Sequence, residues 1–206
     1  MLDLLFGEFR ISWFGTLRHL VRGRRVLVGR RFRVVGVPQL LGSASRLTLG
    51  TLSYGFASSA DRGILRLRGT MRVEGHVAIG VGARFDIGPG AVLEVGRDSY
   101  FSPYTKVIVS ERLTVGRNCA IGWNVQILDD DQHLFESRDG SAVRSRPIVI
   151  GDSVWIGSGA MIFKGVHIAD GCVVAGGSVV TRSVTEPRSL IAGNPARVVR
   201  GDVSWT

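Results

Sequence analysis

Every sixth residue from Ile150 to Val180 is aliphatic: Ile150, Ile156, Ile162, Ile168, Val174 and Val180. Four places after each stands a small or short side chain, namely Val154, Ala160, Val166, Cys172, Ser178 and Val184. Gly159, Gly165, Gly171 and Gly177 keep the same interval. A fixed short period of this kind is the signature of a parallel β-helix, in which each unit of six supplies one short strand and one corner. The aliphatic fills the interior of a narrow coil, the small residue fits beside it, and glycine permits the tight turn between flat faces. Stacked coils then bury a continuous core that no single coil could bury alone.

The same interval is present earlier in the chain. It begins with Val73, Ile79 and Phe85, slips at GPGAVLE, resumes with Val95, Phe101 and Val107, slips again, and continues with Val115, Ile121 and Ile127. Slips are expected to be corner insertions. The largest interruption, residues 128–149 (LDDDQHLFESRDGSAVRSRPIV), is polar and unrepetitive and is predicted to be a loop thrown out of the coil, the usual place for a binding face. Upstream, residues 1 to about 25 are expected to be helix, and 26–70 irregular chain with short strands that begin the stack imperfectly. The expected organisation is therefore an N-terminal helix and cap over 1–70, the repeat over 71–186, and an extension over 187–206.

The stretch PIVIGDSVWIGSGAMIFKGVHIADGCVVAGGSVVTRSV, closing with IAGNPARVVR, resembles the hexapeptide-repeat acyltransferases. Within them it is most similar to the galactoside, maltose, xenobiotic and surface-polysaccharide O-acetyltransferases, over the last half to two thirds of the chain. The resemblance implies a left-handed coil, a homotrimer with a shared donor groove, acetyl-CoA as co-substrate and a sugar hydroxyl as acceptor. The handedness comes from the resemblance alone, since it runs against the usual right-handed crossover.

His133 is the one histidine of four that falls in the predicted loop. Acyl transfer from a thioester to a hydroxyl needs a base near neutrality, which imidazole supplies. The resemblance assigns that work to a histidine of this loop. His19, His76 and His167 are read as helix-surface and corner residues. Of Asp129, Asp130 and Asp131, one carboxylate could orient the imidazole or grip a sugar hydroxyl, Asp131 being the substrate-binding candidate; a solvated loop tip is the other reading. Asn124 either points to the acceptor, as the resemblance implies, or caps its own turn. Trp155 is expected to pack at the lining of the site. For the donor, the resemblance implies backbone contacts from Ser158 and Gly176, with Thr181 and Arg182 further along, and Arg197 and Arg200 facing the phosphates. Thr181-Arg182 replaces the family's commoner Thr-Lys pair and keeps the charge, and Gly176 stands where the family has Ala. Cys119 and Cys172 fall in the repeat, so direct attack by the acceptor is favoured over an acyl-enzyme.

Lys plus Arg number 26 against 17 Asp plus Glu, giving +9, with the excess early in the chain. Arg10, Arg18, Arg22, Arg24, Arg25, Arg30, Arg31, Arg33 and Arg46 lie in a stretch almost free of acids. With Leu4, Leu5, Phe6, Phe9, Trp13 and Phe14 nearby, this start reads either as an amphipathic segment on anionic lipid or as a helix capping the open end of the stack. No binding motif accompanies the charge, so nucleic acid is not an expected partner. Two cysteines make no disulfide framework, and no cleavable signal or uncharged spanning run is evident, which points to a cytoplasmic protein, at most peripheral to the membrane's inner face. The competing activities are a three-histidine metal enzyme of the γ-carbonic-anhydrase type and a non-catalytic assembly module. The histidines share no register, so no metal is expected, and a pure scaffold has no use for both a base and a donor site.

Overall fold

A computed structural model describes residues 11–58, 60–134 and 143–206. Three columns of parallel strands form the faces of a prism, a left-handed parallel β-helix, with the interval of six converted into geometry. Three units make one coil, so residues that lead three successive sixes stand on three different faces. On the first face Val73, Val95, Val115, Ile150 and Ile168 are stacked in register. On the second stand Ile79, Phe101, Ile121, Ile156, Val174 and Ile191. On the third stand Phe85, Val107, Ile127, Ile162 and Val180. All of these are buried. Phe85 and Phe101 meet edge to face in the interior with ring centroids 5.1 Å apart.

The spacing between stacked positions shows where extra chain is tolerated. Val95, Phe101 and Val107 turn two corners with six residues each, and so do Val115, Ile121 and Ile127. Between Val73 and Val180 the third corner, from the third face back to the first, holds every insertion: ten residues separate Phe85 from Val95, eight Val107 from Val115 and twenty-three Ile127 from Ile150. Over that span the other two corners are uniform, each with one residue in the left-handed region. Asp98, Asn118, Ser153 and Arg188 fill it between the first and second faces, and Tyr104, Asn124, Gly159 and Gly177 between the second and third. Gly159 and Gly177 adopt this conformation at no steric cost, and asparagine tolerates it better than most residues.

The upstream segment joins the same faces. Strands Val26–Val28 and Phe32–Val35 pair in parallel with 47–49 and with Gly63–Leu67, and the long strand Gln39–Leu52 pairs with Thr70–Gly80 across two register shifts. Helix α1 spans Trp13–Leu20, shorter than the predicted 1–25, of which residues 1–10 lie outside the described residues. Ser12 caps it, its side chain accepting from the Gly15 N–H at 3.1 Å. The helix buries Thr16 and His19 against the coil, Thr16 Oγ1 accepting from the Val28 N–H. His19 is therefore buried rather than on the helix surface as predicted, and burial among Arg18, Arg24 and Arg22 lowers its pKa. Trp13 and Phe14 are instead 79% and 85% exposed, with Leu17, Leu20 and Val21 on the same side. At the far end, strands Leu190–Gly193 and Ala196–Arg200 form an antiparallel hairpin on the second face. The tail returns along that face, where Trp205 donates from Nε1 to the Ser153 carbonyl at 2.7 Å and lies against Trp155.

Candidate functional site

The loop that carries His133 leaves the coil at Asp129, and its root is a clamped stem. Asp129 is wholly buried, and its carboxylate accepts the N–H groups of Ser110, Glu111 and Arg112 at 2.7, 2.8 and 2.9 Å. These are the insertion residues of the coil before, so one corner holds the next. Burial pushes the Asp129 carboxyl up from its ordinary range and the neighbouring Asp130 adds to this, while the three N–H groups pull it down. The two legs of the loop then pair with each other: the Arg146 N–H donates to the Asp129 carbonyl at 3.0 Å and the Asp131 N–H to the Arg144 carbonyl at 3.2 Å. Asp130, also buried, holds the Arg144 guanidinium at 3.0 Å. Burial opposes ionisation of Asp130, but Arg144, Ser110 and the Gln132 N–H outweigh it and hold the carboxyl below its usual value.

Asp131 ion-pairs with Lys164 at 2.5 Å, and the same ammonium donates to the carbonyls of Val143 and Arg144. Neither reading of the acidic triplet, solvated tip or sugar grip, accounts for Asp129 and Asp130, which are buried anchors of the stem. Gln132 turns the chain in the left-handed region at φ 64°, and His133 follows, exposed to solvent. Residues 135–142 of the predicted loop lie outside the described residues.

The residues expected around donor and acceptor divide between edges. Asn124, Ser158 and Gly176 lie at the corner between the second and third faces, one per coil and all exposed, Ser158 and Gly176 in register with Trp123, the residue before Asn124. The rungs are tied by Gly159 N–H to the Trp123 carbonyl at 2.8 Å and Gly177 N–H to the Ser158 carbonyl at 2.9 Å. The N–H groups of Ser158 and Gly176 donate to no acceptor among the described residues. That leaves two outward donors one coil apart. A Cβ on Gly176 would meet the Ser158 carbonyl at 3.1 Å, so the alanine that the family resemblance implies here fits with a small adjustment. Asn124 does not cap its own turn: its Oδ1 accepts from the Lys106 ammonium at 2.9 Å.

Thr181 and Arg182, both exposed, follow the last strand of the third face, Val179–Val180, which the hairpin's second strand approaches. In that hairpin Leu190 opposes Arg200 and Ala192 opposes Arg197, with Val199 as the extra residue of a bulge. Positions 190 and 192 share a face, so the bulge brings Arg197 and Arg200 to one side although they are three residues apart. The His133 stem springs from a different edge, across the width of the third face from Asn124. Within one chain His133 and the N–H groups of Ser158 and Gly176 are therefore not brought together. Trp155 projects from the second face at 43% exposure, covered in part by Trp205.

Residues 147–182 match the family model described as the hexapeptide repeat of succinyl-transferase. The chain is 34% identical over 198 residues to an uncharacterized 24.8 kDa protein in the cps region of Klebsiella pneumoniae, covering 96% of this chain and 86% of that one. The chain belongs to the hexapeptide-repeat acyltransferase family. Its fold is similar to that of the polySia-specific acetyltransferase NeuO, with a TM-score of 0.55 at 20% identity over 88% of this chain and 82% of that one. It is likewise similar to a hexapeptide transferase family protein from Anaplasma phagocytophilum, with a TM-score of 0.55 at 18% identity over 84% of each chain.

In this hexapeptide-repeat protein the cysteines are core residues. Burial pushes the Cys119 thiol up to about 11, and Sγ donates to the Gly151 carbonyl at 3.0 Å; burial also raises Cys172. Among the described residues no three histidine, cysteine or acidic side chains gather in a metal-binding group. Two features went unread in the sequence. Arg144 and Lys164, as stem clamps, are visible only once coils are counted, because Lys164 reaches the stem from the coil that follows it. An aromatic cover over the second corner, Tyr54 and Phe56 against Trp123 at 5.2 and 5.4 Å, comes from an upstream loop without repeat.

Proposed function

We propose that the protein is an acetyl-CoA-dependent O-acetyltransferase acting on a sugar hydroxyl, with His133 as general base. The observation that carries this is the clamped stem: three carboxylates, one guanidinium and one ammonium fix the chain up to Asp131, and the imidazole is exposed two residues later. Such an investment suits a side chain that must be held outward at a set distance from the coil. The outward N–H groups of Ser158 and Gly176 suit the amide-bearing arm of a thioester donor, and Arg197 and Arg200, on one side of the hairpin, suit its phosphates.

In the proposed step His133 takes the proton of the attacking hydroxyl, whose oxygen adds to the thioester carbonyl. A backbone N–H at the Ser158 corner donates to the oxyanion. Collapse breaks the carbon–sulfur bond, and the imidazolium returns its proton to the departing thiolate. Base and donor edge belong to different edges of one prism, so the complete site is assigned to a homotrimer in which one subunit's loop reaches the next subunit's edge. Thiol release against a panel of glycosides tests the reaction. His133→Ala is expected to fold normally and to lose at least ~100-fold in turnover, the scale of a missing base; near-normal turnover would reassign the loop.

The apolar side of α1 supports a location as well. A helix that turns Thr16 and His19 inward and Trp13, Phe14 and Leu17 outward is not arranged as a cap on the core. With Arg18, Arg22, Arg24 and Arg25 around it, this side is assigned to peripheral contact with an anionic membrane on the cytoplasmic side.

A further inference from the structure

Two clefts meet on the outer surface of the third face. One, of about 430 Å³, is walled by Arg30, Arg31 and Arg33 with Arg62. The other, of about 470 Å³, runs from Arg62 past Arg84 and Lys106 to Asn124. Arg62 lines both, so the two form one track. Strand register orders it: Arg33 opposes Ile64, Ile64 opposes Arg84, and Arg84 opposes Lys106. Neighbouring strands are ~4.8 Å apart, so the cations of this row succeed one another at one- and two-strand intervals.

The track is a continuous row of unneutralised cations. Elsewhere Arg66 and Arg68 share Asp86, Arg72 and Arg112 share Glu94, and Arg117 holds Asp152. Among the described residues, none of Arg30, Arg31, Arg33, Arg62, Arg84 and Lys106 has a carboxylate within ion-pair distance, and all six are exposed. Asp61 stands in the second cleft, but its carboxylate already accepts from the Tyr104 hydroxyl at 2.5 Å and the Ser58 N–H at 2.6 Å. The bulk charge agrees: nine arginines between Arg10 and Arg46 equal the whole net charge of +9, and the remaining 17 cations balance 17 acids. One end of the track thus opens into the most basic part of the molecule, and the other ends at the edge that carries Ser158 and Gly176.

We propose that this track is the acceptor site and that it selects an anionic glycan, whose successive charges lie along Arg33, Arg84 and Lys106 while a hydroxyl is presented at Asn124. The inference rests on the acetyl-transfer function for the hydroxyl, and on the charge pattern alone for the anion. A glycan fits better than a nucleic acid, because single strands are held by stacking on open aromatic faces. Here Phe32 is buried and the Tyr104 hydroxyl is engaged by the Asp61 loop.

The test is equilibrium binding of full-length protein, without acetyl-CoA, to oligogalacturonate, phosphomannan, dextran and a single-stranded oligonucleotide of matched charge. Oligogalacturonate or phosphomannan should bind, which of the two identifying carboxylate or phosphate as the anion, with affinity falling as salt rises. Dextran should not bind. Arg62→Gln with Lys106→Gln should weaken binding at least tenfold, whereas Arg97→Gln with Arg146→Gln, equal in charge and exposed elsewhere, should change it less than twofold. Equal losses in the two double variants, binding of dextran, or an oligonucleotide held as tightly as the glycan would overturn the proposal. Glycan binding that survives in a protein unable to release thiol would instead refute the transferase function and leave the track standing.

Discussion

Asp129→Ala offers the most direct measure of how the loop is held. Three backbone N–H groups converge on this carboxylate in a fully buried corner, and an alanine offers them no acceptor. A buried donor left unpaired costs about 1–3 kcal/mol, so three give an upper range of about 3–9 kcal/mol, reduced toward the lower end if water enters the vacated space. Asp129→Asn separates hydrogen bonding from volume. Its one carbonyl oxygen, in the place of Oδ2, retains the bonds from Glu111 and Arg112 and opposes its amide to Ser110, for a loss of about 1–3 kcal/mol from a single unpaired donor. Urea unfolding at neutral pH measures both, with m-values checked for constancy. Because the stem begins at Asp129, the alanine variant should also lose turnover while retaining donor affinity. Destabilisation of the two variants to the same extent, or of alanine by less than about 1 kcal/mol, would refute the account, since the latter is below the cost of one unpaired donor.

Arg197→Ala and Arg200→Ala should each weaken coenzyme A binding by about 1–3 kcal/mol through lost charge-assisted bonds, with little change in turnover at saturating donor, as read by calorimetry and initial rates. Cys119, pushed up to about 11, is a neutral thiol throughout the physiological range, so iodoacetamide at pH 8 should leave it unmodified in the folded protein and label it after unfolding, as mass spectrometry will record. Trp13→Ser with Phe14→Ser and Leu17→Ser removes only exposed apolar surface, so it should abolish low-salt flotation with anionic vesicles without lowering the melting temperature; unchanged flotation would refute the membrane contact. Light scattering should give the mass of three chains, and an active monomer would disprove a site shared between subunits.

The coil was legible because its physics is local and repeated. Each of Val73 to Val180 in the series occupies the interior position its spacing assigns, and even the slips at GPGAVLE and after Val107 could be located, since an interrupted count resumes in phase on the next face. Helix α1 was less legible because its inward side is polar: Thr16 is spent on the Val28 N–H and His19 is buried, so apolar spacing alone left lipid contact and capping both open. The stem residues Asp129, Arg144 and Lys164 are far apart in the sequence, and only coil stacking joins them. The division of Asn124 and Ser158 from His133 by the breadth of a face follows from the same counting, which turns sequence distance into an edge assignment.

Between Val73 and Val180 a single corner takes in all the surplus chain. Lengthening there leaves every strand in register, and closing a longer flexible excursion adds only about 0.6 kcal/mol for each doubling of its length. An insertion at Asn118 or Gly159 would instead interrupt a column of left-handed residues. Reach and chemistry at the loop tip can therefore drift, or be grafted, while the prism stays fixed.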